Sequence, residues 1–311
     1  MADSLSEDDV PDQINRWRGS SSNGSPTKSL HLLAAQAHCR QIALGHYENF
    51  LVASVLLPRS MKQPFYNVYA FCRHADDLAD ESPSPEIATE RLYDWQQQLD
   101  RCFAGHVVEH PIFIALSDTI SQFNLQKRPF DDLLDAFRQD QVKTRYANFA
   151  ELVDYCRRSA NPVGQIVLRL AAADSPENIA LSDSICTGLQ LANHWQDVRR
   201  DFQAGRIYLP QDALAAANVS ESMLAEPTAC DAVKRVIAEQ CQQARQWLLD
   251  GLPLADRVPR WLAADIRLFA HGGLETLDAI ARCDHDTLRQ RPTVSKTRQL
   301  KLVLRAMFRR L

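Results

Sequence analysis

From Leu30 onward, apolar residues recur at three- and four-residue spacing in almost every segment of this 311-residue chain, and the breaks fall at X-Pro steps. Those steps are Leu57-Pro58, Ser82-Pro83-Ser84-Pro85, His110-Pro111, Arg128-Pro129, Asn161-Pro162 and Ser175-Pro176. The ring of each proline pushes the preceding residue out of helical geometry, so each step marks a helix boundary. Acidic residues follow two of them, Glu86 and Glu177, where a helix N-terminus favours negative charge. Ten glycines and few β-branched runs leave little from which to build a sheet. The pattern predicts helices near 30–45, 64–81, 86–104, 110–124, 130–141, 149–159, 163–173, 176–203, 227–250 and 260–284, with a last one near 296–309. Helices this long and this apolar need one another as cover, which predicts an all-α bundle with its site in the core between facing helices.

Residues 1–28 are too poor in apolar side chains to pack, so they are expected to form a disordered tail, with 29–311 as a single all-α domain. The net charge of −4 gives no electrostatic footprint for nucleic acid, which is not expected as a partner. The eight cysteines are dispersed, without a C-x-x-C pair or zinc-ligand spacing, and read as small buried residues in a reducing compartment. The N-terminus MADSLSEDDVPDQ lacks the apolar core of a secretory signal, and no run of about 18 apolar residues occurs. A cytoplasmic protein is expected. No G-x-G-x-x-G or P-loop is present.

Two segments depart from ordinary core patterning. YAFCRHADDLADE places Asp76 and Asp80 four residues apart, and LQLANHWQDVRRD does the same with Asp197 and Asp201. Positions i and i+4 share one helix face, so each segment aims two carboxylates at one point. Upstream, Tyr69 and Arg73 continue the first stripe, and Gln190 and Asn193 the second. A single stripe of this kind reads equally well as a solvated face laced with ion pairs, such as Arg73 with Asp77. Two stripes in one helical chain favour a shared site, because facing carboxylates repel unless cations stand between them. Their oxygens are hard donors suited to Mg²⁺, which keeps water and phosphate oxygens in its octahedron. The metal ligands expected are Asp76, Asp77, Asp80, Asn193, Asp197 and Asp201, with several ions per site. Arg73, Arg200 and Arg206 could then grip the outer oxygens of a diphosphate. Taken alone, Arg206 in GRIYLP reads as an exposed loop arginine.

These motifs, with LLP (Leu56, Leu57, Pro58) upstream, DQVKTRY (140–146), YCRRSANPVG (155–164) and GRIYLP (205–210), resemble those of the squalene/phytoene synthase family over about residues 36–305. The resemblance implies an isoprenoid-synthase helical bundle with a central cavity, Mg²⁺ dependence and a prenyl diphosphate-derived substrate. It places Asp76, Asp77 and Asp80 in the first aspartate motif and Asn193, Asp197 and Asp201 in the second, with Tyr69, Arg73 and Gln190 around the diphosphate.

Three departures narrow it. This chain has Tyr47-Glu48-Asn49-Phe50 where many members carry Ser-x-Ser-Phe, Gln196 where an arginine is usual, and Ser159-Ala160-Asn161 before Pro162. HYENF, NHWQD and YCRRSANPVG are similar to the bacterial hopanoid-pathway branch, which ionises presqualene diphosphate, rearranges the cyclopropylcarbinyl cation and captures it with water. Other enzymes of that pathway are implied as partners, and NADPH is not expected. The catalytic residues expected are Tyr69, Arg73, Tyr155 and Asn161, and Tyr47, Asn49, Phe50, Arg73, Gln190, Arg200 and Arg206 are expected to bind substrate. Phe50, Phe71, Tyr69 and Tyr155 are candidates to face the cation, with core packing the stronger reading for Phe71. Asn161, Ser159, His194 and Asn49 are candidates to orient the water. His74 is expected at the surface. The same enzymes remain open as head-to-head prenyl synthases, and a non-catalytic helical scaffold would have lost the aspartates. The C-terminal RQRPTVSKTRQLKLVLRAMFRRL alternates basic and apolar residues, which suits either the inner membrane surface or the side of the bundle.

Overall fold

The computed structural model describes residues 26–45, 57–295 and 297–298. It contains helices α1 (Pro26–Gly45), α2 (Arg59–Asp80), α3 (Pro85–Phe103), α4 (Pro111–Phe123), α5 (Arg128–Gln139), α6 (Phe149–Ser159) and α7 (Asn161–Leu170). These are followed by α8 (Pro176–Gln196), α9 (Val198–Gln203), α10 (Gln211–Ala216), α11 (Glu221–Leu224), α12 (Asp231–Gly251), a 3₁₀ turn (Leu252–Asp256) and α13 (Arg260–Arg282). The described residues form no strand, and their β-pairing is an isolated parallel bridge between Arg145 and Ile207. The fold is the all-α bundle expected.

Local signals account for the helix starts. Ser84 and Ser175 each accept a hydrogen bond from a backbone N–H in the first turn, with Pro85 and Pro176 opening the helix behind them. Asn148 accepts from the Glu151 N–H at 2.9 Å, while Glu151 reaches back to the Ala147 N–H at 2.5 Å, so both groups at the start of α6 are satisfied.

Two apolar clusters flank the centre. Around α2–α5, Phe71 stacks on Trp95 at 5.8 Å and meets Phe113 and Phe130 edge-on at 5.9 and 5.2 Å. Around α8 and α12, Trp195, Leu191 and Leu248 are completely buried. The closeness of α8 to α12 depends on Gly188, where a Cβ would lie 2.8 Å from the Leu248 side chain and 3.0 Å from its backbone nitrogen.

Several boundaries differ from the sequence reading. α2 starts at Arg59 rather than 64 and carries Pro64 in its second turn, where the missing N–H forgoes one ladder bond. The expected 176–203 helix breaks at Asp197 (φ −105°, ψ 15°), although Asp201 N–H still donates to the Asp197 carbonyl at 2.9 Å. That bond keeps Asp197 and Asp201 one turn apart. The short helices α10 and α11 occupy a stretch whose apolar periodicity is too brief to register. Of the expected tail, 26–28 open α1, and the rest lies outside the described residues. The expected C-terminal helix also lies outside them, except at 297–298. No helix among the described residues is long and apolar enough to cross a membrane.

Candidate active site

One face of α2 passes through Phe65, Tyr69, Cys72, Asp76 and Asp80, and one face of α8 through Ser182, Cys186, Gln190, Asn193 and Asp197. Both run in chain direction from uncharged to acidic residues. The N-terminal parts of these faces line a cavity of about 380 Å³, completed by Val163, Gly164 and Val167 of α7 and by Leu262, Asp265, Ile266 and Phe269 of α13. The acidic ends form its charged neighbour: Tyr69 and Cys72 lie in the cavity wall, one turn before Arg73 and Asp76.

In the first acidic stripe Arg73 reaches Asp76 at 3.2 Å and pairs with Asp77. Burial, then repulsion from Asp80, nevertheless holds the Asp76 carboxyl above its ordinary range, with Arg73 opposing. In the second, Arg291 grips Asp197 through two bonds of 2.5 and 3.0 Å, and Arg200 stands 3.7 Å away at the exposed rim. Gln196 fixes that clamp, accepting from Arg291 at 2.9 Å and donating to the Pro292 carbonyl at 2.6 Å. Burial and then Asp197 push Asp201 up to about 7, against the pull of three arginines.

The stripes are joined through the GRIYLP segment. Ile207 N–H donates to Thr144 O at 2.9 Å, and Arg145 donates to Gly205 O at 2.7 Å. Docked in this way, Arg206 lies 3.9 Å from Asp80 and acts electrostatically on both Asp140 and Asp201. Arg206 is therefore a bridge between the stripes, not an isolated loop residue. Asp140 accepts the Tyr155 hydroxyl at 2.8 Å, while its other oxygen is buried without a partner among the described residues. Burial pushes its carboxyl up to about 6, Tyr155 and Arg206 oppose, and Asp80 and Asp76 add repulsion.

Among the described residues, no three His, Cys, Asp or Glu side chains are gathered into a ready-made metal cage. The donor chemistry still fits a hard divalent cation: carboxylates predominate, Asn193 is exposed beside them, and burial, with carboxylate repulsion added, holds Asp76, Asp140 and Asp201 above their ordinary range despite the arginines. Each Asp197 oxygen accepts one bond from Arg291 and keeps a second lone pair for a cation.

Other expected residues are placed differently. Tyr155 holds Asp140 and packs 6.0 Å from Tyr208 within the buried cluster, rather than facing the cavity. Asn161 is buried and its side-chain oxygen accepts from Thr187 at 3.0 Å, a bond that ties α7 to α8. His194 is buried against Tyr208 at 3.6 Å, and burial pushes it down to about 3, keeping it neutral. Its ring nitrogen lies 3.4 Å from the Gln190 amide. Phe71 is completely buried and belongs to the core. His74 is packed 4.3 Å from Trp95, not free at the surface. Tyr47, Asn49 and Phe50 lie outside the described residues.

Three residues carry roles that the sequence reading did not assign. Asp140 was noted only within a motif, Arg291 lies 94 residues from its partner, and Asp265 interrupts the apolar face of α13. The last left a signal, an acid at a core position of RWLAADIRLFA.

The comparisons with known proteins agree with this arrangement. The family model for squalene/phytoene synthase matches residues 44–298. The 15-cis-phytoene synthase of Synechococcus elongatus is 32% identical over 303 residues, covering 91% of this chain and 96% of that protein. The crystal structure of squalene synthase HpnC from Alicyclobacillus acidocaldarius is 39% identical, with a TM-score of 0.79 over 82% of this chain and 96% of that one. A dehydrosqualene synthase crystallised with a ligand is 25% identical, with a TM-score of 0.81 over 91% of this chain and 98% of that one. With two acidic helix faces meeting above an apolar cavity and a family match over most of its length, the chain belongs to the squalene/phytoene synthase family.

Proposed function

We propose that this chain converts presqualene diphosphate to hydroxysqualene, ionising the diphosphate, rearranging the cyclopropylcarbinyl cation and ending the reaction with water. The observation that carries the reading is the continuity of the acidic stripes with an apolar cavity along the same two helix faces. An amphipathic substrate with a diphosphate head and hydrocarbon arms needs both in that order.

The residues would divide the work accordingly. Asp76, Asp77 and Asp80 on one side, and Asn193, Asp197 and Asp201 on the other, would hold Mg²⁺. When bound, such ions supply Lewis-acid activation of the leaving diphosphate. Arg73 and Arg206 stand beside the same carboxylates and would take the outer phosphate oxygens. Tyr69 lines the cavity one turn before Arg73, where its ring would support developing positive charge. The apolar walls of α7 and α13 keep bulk water from the cation.

The departures HYENF, Gln196 and SANP support water capture, through the resemblance they carry. In this reading the reaction needs no NADPH, and the enzyme is a carbon–oxygen lyase rather than a transferase. The identities to phytoene and dehydrosqualene synthases favour a second reading, head-to-head coupling of two prenyl diphosphates at the same site. Incubation with Mg²⁺ and presqualene diphosphate, with and without NADPH, followed by mass analysis of the product, separates the two. Hydroxysqualene without NADPH is the expected product. Turnover of farnesyl diphosphate alone would favour coupling.

A further inference from the structure

Asp265 is the carboxylate among the described residues that line the apolar cavity. It stands on α13 in a face otherwise made of Leu262, Ile266 and Phe269, and it is 3% exposed. Its Oδ1 is buried and has no hydrogen-bond partner among the described residues. A buried carboxyl without a partner costs stability that an apolar side chain would not, so packing does not account for it.

Burial pushes the carboxyl up to about 8, and no charge among the described residues adds to or opposes that shift. The other titratable groups in the described wall are Tyr69 and Cys72 on α2 and Cys186 on α8. Burial pushes both cysteines up to about 12 and raises Tyr69 as well, so these three stay neutral where Asp265 changes charge. Ser182 is polar but does not titrate there, and the described wall residues of α7 and the 3₁₀ turn contribute no ionisable group.

We propose that Asp265 is the base that takes the proton of the quenching water, and that it thereby makes an alcohol rather than a hydrocarbon the product. This rests on the reading of function above. The C–O bond to diphosphate breaks with its electron pair leaving on oxygen, and the rearranged carbocation is held among the apolar walls. A water oxygen then forms the new C–O bond, one of its O–H bonds breaks, and the proton passes to the ionised Asp265 carboxylate. No oxidant or reductant is required. A carboxyl that titrates near neutral pH is a stronger base than an ordinary aspartate and is still partly ionised at the working pH.

Two measurements on the full-length chain with Mg²⁺ and presqualene diphosphate test this: diphosphate release, which reports ionisation, and the alcohol fraction of the product. Asp265→Asn keeps size and polarity but cannot accept the proton. It is expected to release diphosphate within a few-fold of wild type while alcohol formation falls about a hundredfold and elimination products take its place. Asp265→Glu should restore part of the alcohol, and Asp265→Leu should behave like the Asn variant. In the wild type the alcohol fraction should rise from about pH 6 to about pH 9, and in Asp265→Asn it should stay flat. An unchanged alcohol fraction in the Asn and Leu variants overturns the proposal, as does a parallel loss of ionisation and alcohol at constant product ratio. A wild-type chain that forms no alcohol overturns the reading of function as well.

Discussion

The two acidic stripes reach the same end by different means. The α2 stripe is closed within its own helix: Arg73 pairs with Asp76 and Asp77 three and four residues away. The α8–α9 stripe depends on distant chain. Asp197 is clamped by Arg291, 94 residues further on, and Gln196 anchors the segment that carries that arginine. A helix break falls within the second stripe, whereas the first is continuous. One arm is therefore set by helical spacing, and the other by tertiary docking. Their different construction still serves one site, because Arg206 faces Asp80 on one side and acts on Asp201 on the other.

The largest expected effect probes whether the arms are equivalent. Asp76→Ala and Asp197→Ala should each reduce turnover by about a thousandfold, with the helical circular dichroism unchanged. A large loss from one and a small loss from the other would make that arm accessory.

Next in size is a response to divalent cation. Asp140 and Asp201 titrate higher in the folded chain, at about 6 and 7, than the ordinary aspartate value of about 4. The folded state then binds more protons than the unfolded one between about pH 4 and pH 7, so stability falls as pH rises through that window. Mg²⁺ should reverse the loss. Its stabilisation should be greater near pH 8 than near pH 5, reaching about 2.7 kcal/mol at a hundredfold excess over Kd. Thermal melts at both pH values measure it, and equal shifts would show that these carboxylates do not meet the ion.

The packing that carries the second arm gives a smaller effect. Gly188→Ala forces a methyl group into Leu248 and should cost about 1–3 kcal/mol, seen as a lower melting temperature. An unchanged melt would mean that α8 and α12 have room to separate. The smallest effect expected is from Asn161→Ala, which removes one buried hydrogen bond to Thr187 and should cost about 1 kcal/mol. The product should not change. A shift from alcohol to hydrocarbon in that variant would place Asn161 in the chemistry.

The contrast between the arms also marks what could be read from the chain itself. The X-Pro boundaries, the apolar periodicity and the Arg73–Asp76–Asp77 stripe are local patterns, and each recurs in the structure close to its expected place. Arg291 is different, because nothing in its neighbourhood points to Asp197, and only the docking of 291–292 against Gln196 brings them together. The bonds that Tyr155 and Asn161 make have no local signal, since their partners Asp140 and Thr187 come from other elements. Asp265 was legible as an anomaly, but the cavity it lines is assembled from four helices and the 3₁₀ turn and has no linear signature.

The central claim is that both acidic stripes form one diphosphate site. Calorimetric titration of inorganic diphosphate in the presence of Mg²⁺ tests it directly, using wild type, Asp76→Ala, Asp197→Ala and the double variant. Each single substitution is expected to remove as much binding free energy as the double. Losses that simply add, or a single variant that binds as wild type does, would contradict it.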